Sequence, residues 1–234
     1  MKVYIIRSIG LLVFNVYLLR HGELVQTGIL CGRTDIALSD TGKKQLIHAT
    51  QYLPDISHCY SSPLIRCREF AEQYCQRNGL VMHVLAELQE MDFGDWDGKS
   101  YQALWQSEHG LEQKPKLSSD KKTPTLGDFW QNPWQCQPPN GETMASFTKR
   151  VDSFWHKLLA QLEQSHLQQN NKNEPVSTLV LSHGGVIRYI LAKVLGLPIP
   201  GVNHMVNLDV PYGGLIHLQV TIDDSGKAWP KLML

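Results

Sequence analysis

Two histidines in this chain follow short apolar runs and are flanked by glycine and a cation or hydroxyl: Leu19-Arg20-His21-Gly22-Glu23 and Leu181-Ser182-His183-Gly184-Gly185-Val186-Ile187-Arg188. A third apolar run ends Tyr60-Ser61-Ser62-Pro63-Leu64-Ile65-Arg66. Ligands of open α/β sheets bind at the carboxyl ends of the strands, so three such endings in one parallel sheet face a common pocket, here holding two histidines and two arginines. Gly184 and Gly185 let backbone N–H groups approach an anion at a helix N-terminus, where the macrodipole also favours negative charge. By composition this is a phosphate site. Phosphoryl transfer spreads charge over equatorial oxygens, so its catalysis is mostly positioning and positive electrostatics, for which guanidinium forks are suited. A covalent route adds an imidazole nitrogen that is neutral when it attacks. The leaving alkoxide then needs a proton, which Glu90, in Glu87-Leu88-Gln89-Glu90-Met91-Asp92-Phe93-Gly94, can supply. Taken singly, such residues are ordinarily hydrogen-bonded or solvated, and His48, His58, His83, His109, His156, His166, His204 and His217 are read that way. Cys67 and Cys75 read as packing residues.

The elements that must position these groups alternate. Val16-Tyr17-Leu18-Leu19 has no polar alternation, as expected of a strand buried on both faces of a parallel sheet. Further strands are expected at Ile56 to Tyr60, Val81 to Leu85, Ser177 to Ser182 and Leu215 to Ile222. Helical patterns lie between them. They cover Thr41 to Leu53, then Pro63 to Arg77 with Ser62 as N-cap and Pro63 at the first helical position. A long helix opens at Thr143, with Met144, Phe147, Val151, Phe154, Leu158 and Leu162 on one face, and another runs from Gly184 to the stop signals Gly196 and Pro198. This alternation predicts a three-layer α/β fold, a mostly parallel sheet with helices on both faces. Residues 96–139 hold four of the six tryptophans and five of the twelve prolines, too aromatic for a solvated linker, and read as a lid insertion. Residues 163–175, EQSHLQQNNKNEP, read as an exposed polar loop.

At 234 residues with 42% hydrophobic content, the chain is long enough for one generous domain, so a single domain over 1–234 is expected, with 1–14 as an extension before the first strand. The 22 Lys+Arg balance 22 Asp+Glu, which leaves no overall electrostatic footprint for nucleic acid or an anionic membrane. Five cysteines without a C-x-x-C pair suggest neither a disulfide framework nor a zinc ribbon. A cytoplasmic location fits. The run Ile9 to Leu19 after Lys2 and Arg7 imitates a signal peptide, but it contains Asn15 and leads directly into Arg20-His21 with no small-residue cleavage site.

The segments LLRHGE at 18–23 and SHGGVIR at 182–188 resemble the histidine phosphatase superfamily, the group that includes the cofactor-dependent phosphoglycerate mutases. The likeness continues in order: GRTDIALSDTGKKQ at 32–45, SSPLIRCREFAE at 61–72, ELQEMDFGDWDG at 87–98 and PPNGETMASFTKRV at 138–151 are similar to the family's successive segments. The resemblance implies a phosphoglycerate mutase-like fold in which His21 is the nucleophile, Glu90 the proton donor and then the base, and Arg20, Arg66 and His183 hold the phosphoryl group, joined by Gly184 on the helix N-terminus argument above. It implies no cofactor and no metal. Its substrate is a small phosphate ester, with neither nucleic acid nor membrane as a partner; the sequence does not speak to oligomeric state. Where the family pattern after RHGE has Thr or Ser and then Asn three residues on, this chain has Leu24 and Thr27.

Lys99 is the only basic residue between the acidic segment and Lys114, whereas a mutase of this kind carries more there. The Trp-rich stretch and the P-x-G-E segment resemble the bacterial alpha-ribazole-5'-phosphate phosphatases, which act in cobalamin lower-ligand assembly. A broad-specificity sugar-phosphate phosphatase and a phosphoglycerate mutase are the alternatives within the family. Outside it stand a metal-dependent phosphatase built on the D-x-D of Asp95 and Asp97, and a phosphate-binding module without turnover. An aromatic leaving group would make Trp105, Trp130 and Trp134 candidates for stacking against it.

Overall fold

The structure is a computed structural model that describes residues 13–112, 124–168 and 176–234. Along the chain run β1 (Val13–Arg20), α1 (Asp40–Thr50), β2 (His58–Ser61), α2 (Ile65–Asn78), β3 (Met82–Val84), α3 (Tyr101–Glu112), α4 (Leu126–Gln131), α5 (Met144–Gln168), β4 (Val176–Ser182), α6 (Gly184–Val194), α7 (Asn203–Val206), β5 (Leu215–Ile222) and β6 (Ala228–Met233). Among the described residues the strands form one sheet in the order β3-β2-β4-β1-β5-β6. The first four are parallel, and β5 and β6 are antiparallel. The sheet is mostly parallel, as the alternation of elements predicts.

Successive side chains of β1 face opposite layers. Phe14, Val16 and Leu18 pack with Phe147, Val151 and Phe154 of α5 and with Val186, Ile187 and Ile190 of α6. Tyr17 and Leu19 pack with Leu46 of α1 and with Cys67, Phe70 and Ala71 of α2. Both faces of β1 are therefore withdrawn from water, which is why its sequence shows no polar alternation. Packing of this kind contributes about 1.5–3 kcal/mol for each large side chain fully buried.

Several boundaries differ from the sequence reading by a few residues, and three of these differences, with one added strand, bear on the argument. The first strand begins at Val13, so Val13 and Phe14 belong to β1 and not to an extension over 1–14; residues 1–12 lie outside the described residues. Residues 163–168 continue α5 and are not loop, while 169–175 lie outside the described residues. Polar composition alone does not break a helix that holds no Gly or Pro, and Glu163 is tied down by accepting the Ala228 N–H at 2.9 Å. Helix α2 starts at Ile65, with Leu64 at its N-cap position. The oxygen that caps it comes from another loop, since Asp35 Oδ1 accepts the Ile65 N–H at 2.7 Å, while Ser62 Oγ accepts the Leu64 N–H ahead of the helix at 3.3 Å. The unanticipated β6 carries Pro230 and Lys231, residues that belong on a sheet edge, where it lies.

The segment 96–139 supplies α3 and α4, with 113–123 outside the described residues. It is not merely laid over the site: Trp96, Leu104, Leu126 and Phe129 are buried in the same core as β1 and α5. A Thr125–Asp128 capping box starts α4, and Phe129 meets Phe93 and Trp96 edge-on at 5.9 and 6.2 Å. Among the described residues no helix is long and apolar enough to cross a membrane, and all five cysteines are free.

Candidate active site

The ends of β1, β2 and β4 converge as the strand-end pattern predicts. His21 follows β1 directly and is buried, with its ring centroid 5.2 Å from that of His183. His21 Nδ1 lies 2.8 Å from the Gly22 carbonyl oxygen. A carbonyl only accepts, so Nδ1 carries the proton and Nε2 keeps the lone pair. Burial, then the Arg66 charge, hold the His21 pKa down to about 3, which leaves the imidazole neutral at physiological pH. Gly22 is required by close approach: a Cβ there would come within 2.1 Å of the Gly42 carbonyl in the first turn of α1.

Arg66, from the first turn of α2, is fully buried. Its Nε–H donates to His183 Nδ1 at 3.2 Å, its Nη1 to the Thr34 carbonyl at 2.8 Å and its Nη2 to the Gly32 carbonyl at 2.5 Å. Of five guanidinium N–H groups, three are engaged and two remain for an anion. The Nδ1 of His183 accepts, so its proton is on Nε2, which donates to Ser62 Oγ at 2.8 Å. Ser62 is thus a partner of the second histidine, the role that its exclusion from the α2 cap leaves open. Burial and the neighbouring Arg66 push the His183 pKa well below its ordinary value.

Arg20, at the end of β1, donates from Nη1 to the Val210 carbonyl at 2.5 Å and lies 4.2 Å above the Tyr212 ring. Its Nε is buried without a partner among the described residues. Gly184, the first residue of α6, sits against this guanidinium; a Cβ on it would lie 3.4 Å from Arg20 Cζ.

Glu90 is fixed at every polar atom save its own N–H. Its Oε1 accepts the Met91 N–H at 3.0 Å and its Oε2 the Gly185 N–H at 2.9 Å. Its carbonyl accepts Arg33 Nε at 3.0 Å and Arg150 Nη2 at 2.9 Å. A Cβ on Gly185 would come within 2.3 Å of Glu90 Oε1, so the second glycine of SHGG is the space the carboxyl occupies.

Sequence reasoning missed the supports behind these groups. Asp97 accepts the N–H groups of Gly32, Arg33 and Thr34 at 3.1, 2.6 and 3.0 Å, which shapes the loop whose carbonyls hold Arg66. The D-x-D pair considered as a metal site has this work instead, while Asp95 accepts from Asn140 Nδ2 at 3.0 Å. Arg150 pairs with Glu142 through two 2.8 Å contacts and donates to the carbonyls of Glu87, Gln89 and Glu90. The P-x-G-E stretch and the acidic segment are therefore clamped together, a contact between 87–90 and 142–150 that spacing along one chain does not reveal. Leu24, one of the departures from the family pattern, is buried and bridges to Leu38, while Thr27 is exposed. Of the lid tryptophans, Trp130 lines a small cavity beside Glu90, Trp134 Nε1 donates to the Gly201 carbonyl at 3.0 Å, and Trp105 is 42% exposed on α3.

The family model of the histidine phosphatase superfamily (branch 1) matches residues 16–226. An adenosylcobalamin/alpha-ribazole phosphatase of Escherichia coli (strain K12) is 29% identical over 199 residues, 81% of this chain and 83% of that one. A glucosyl-3-phosphoglycerate phosphatase of Mycolicibacterium vanbaalenii is 26% identical over 186 residues, 78% of this chain and 74% of that one. Among solved structures, the alpha-ribazole phosphatase from Shigella flexneri superposes with a TM-score of 0.67 at 25% identity, covering 94% of this chain and 96% of that one. The match spans all three strand ends, the acidic segment and the fold that carries them, and the chain belongs to the histidine phosphatase superfamily.

Proposed function

We propose that the protein hydrolyses phosphomonoesters through a phosphohistidine on His21. The observation that carries this reading is the His21 tautomer: Nδ1–H is tied to the Gly22 carbonyl and the ring is neutral, so Nε2 keeps its lone pair near the Arg66 and Arg20 guanidiniums. In the first step Nε2 attacks phosphorus, a P–N bond forms and the P–O ester bond breaks. The leaving alkoxide takes its proton from Glu90. Water then attacks the phosphohistidine, Glu90 takes back a proton, and inorganic phosphate leaves with His21 regenerated. The two free N–H groups of Arg66, the free donors of Arg20 and the α6 N-terminus at Gly184 hold the equatorial oxygens. A phosphoryl oxygen takes the place of Ser62 Oγ as acceptor for His183 Nε2–H. Every charge that develops in these steps is met by a protein group, and the reaction therefore needs no metal.

The substrate we favour is alpha-ribazole 5'-phosphate, supported by the relatives of that name and by an aromatic wall, Trp130, next to the proton donor. A generalist sugar-phosphate phosphatase is the second reading, favoured by the comparable identity to the glucosyl-3-phosphoglycerate phosphatase. Phosphate release is measured in EDTA for alpha-ribazole 5'-phosphate, sugar phosphates and 3-phosphoglycerate. A kcat/KM preference for the first of about a hundredfold, roughly 2.7 kcal/mol of transition-state binding, establishes the specific reading. A flat profile establishes the generalist. No release on any substrate, or release abolished by EDTA, overturns the mechanism.

A further inference from the structure

Beside Glu90 lies a cavity of about 20 Å³ walled by Trp130, Phe147 and Met205, with Arg188 as its cation. Arg188 is half-buried one turn into α6, and its Nε is buried with no partner among the described residues. Next to it, His204 of α7 is fully buried, and neither of its ring nitrogens has a partner among the described residues. Burial and then the Arg188 charge hold this imidazole below its ordinary pKa, so it is neutral and offers one donor and one acceptor. A buried donor without a partner costs about 1–3 kcal/mol, and native proteins leave few of them. Arg188 Nε beside the Glu90 cavity, with the unpartnered His204 imidazole near enough to feel the Arg188 charge, marks a place where a ligand completes the bonding. The cavity's size limits what enters: one oxygen-sized group needs about 10–15 Å³.

On the phosphatase reading above, we propose that Arg188, backed by His204, is the specificity anchor for the leaving alcohol, receiving one hydroxyl or carboxylate oxygen that lies near the ester oxygen. The aromatic rim excludes water from that contact, which strengthens it. The site thereby selects oxygenated leaving groups, sugars or hydroxy acids, over plain aryl or alkyl alcohols. A transition-state contact of this kind, to a charged donor, is worth about 10- to 100-fold in rate.

The test compares ribose 5-phosphate, which offers hydroxyls, and phosphoserine, which offers a carboxylate, with phenyl phosphate, which offers neither. For Arg188→Met the kcat/KM of the better oxygenated ester relative to phenyl phosphate falls about 10- to 100-fold, with partial recovery in Arg188→Lys. Loss confined to ribose 5-phosphate identifies a hydroxyl as the ligand, and loss confined to phosphoserine a carboxylate. An unchanged ratio, whether both rates fall together or neither falls, overturns the proposal: Arg188 then serves the fold or the phosphoryl group and the cavity holds only water. His204→Asn, which keeps a donor and an acceptor, retains more of the ratio than His204→Leu, and equal ratios in these two variants also count against the anchor. If the unsubstituted protein releases no phosphate from any ester, it is the phosphatase reading that has failed.

Discussion

The proposed phosphoryl wall and the proposed leaving-group wall are built differently. On the phosphoryl wall both nitrogens of His183 and three N–H groups of Arg66 are engaged, Glu90 accepts two amides at its carboxyl and two guanidiniums at its carbonyl, and Arg20 Nε alone is buried without a partner among the described residues. On the leaving-group wall Arg188 Nε and both His204 nitrogens are buried without partners among the described residues, and the neighbours are aromatic and thioether side chains. The first wall is organised before substrate arrives, which is where electrostatic stabilisation gains most. The second is completed by what binds. The contrast separates chemistry from selectivity: substitutions on the first wall should reduce turnover of every substrate, and those on the second should re-rank substrates.

The largest effect is expected at the nucleophile. His21→Ala should lose at least about a thousandfold in turnover on all esters, and the acid-labile phosphoenzyme expected by rapid quench in the unsubstituted protein should be absent. Glu90→Gln follows, with a loss of about 10²–10⁴-fold that is greater for an alkyl phosphate than for phenyl phosphate, whose alcohol leaves without help; equal losses would exclude Glu90 as proton donor.

Arg150→Met tests whether the first wall depends on its backing. It strands the Glu142 carboxylate and three carbonyls, so urea unfolding should show a loss of about 3–5 kcal/mol, with lower turnover and an unchanged substrate ranking. Acid probes the same wall. The folded-state pKa of His21 lies near 3, below the value of about 6.5 in an unfolded chain, so below pH 6.5 the unfolded chain binds protons that the folded one refuses. His183 is shifted the same way. Stability should be full above about pH 6.5 and fall as the pH drops toward 3, and NMR of the folded protein at pH 5 should show the His21 ring neutral; a charged His21 there would break the argument for its nucleophilicity. The smallest effect belongs to the lid: Trp134→Phe removes one hydrogen bond to Gly201, about 1 kcal/mol of stability, and should leave rates on all esters within about threefold.

Most of the first wall was legible in the sequence because it lies where apolar runs stop. Arg20, His21, Arg66, His183 and Gly184 each sit at a strand end or in the turn after one, and parallel topology brings such ends together without further information. Their supports were not legible. Asp97 acts on a loop sixty-odd residues earlier and Arg150 on a segment sixty residues earlier, and nothing local marks either. Ser62 was misassigned because a Ser-Pro pair before a helix satisfies the capping pattern, while the oxygen that caps α2 belongs to Asp35. The second wall was read least well. His204 has the look of an ordinary surface histidine until its depth is known, and the lid tryptophans divide into one at the cavity, one pinning the chain to Gly201 and one exposed.

The backbone of His21, the proposed nucleophile, has its own consequence. The His21 N–H donates to the Ser182 carbonyl at 3.0 Å, the His21 carbonyl accepts the Gly213 N–H at 3.1 Å, and the Arg20 N–H donates to the Gly214 carbonyl at 3.0 Å. The peptide units on both sides of the reacting residue are thus stitched between the end of β4 and the turn that enters β5. Gaining and losing a phosphoryl group can then be accommodated by side-chain torsions alone, while the main chain beneath stays still. On the proposed mechanism such a residue works as an anvil: both half-reactions strike at one stationary point, and whatever motion the cycle requires is left to the substrate that enters and the alcohol that departs.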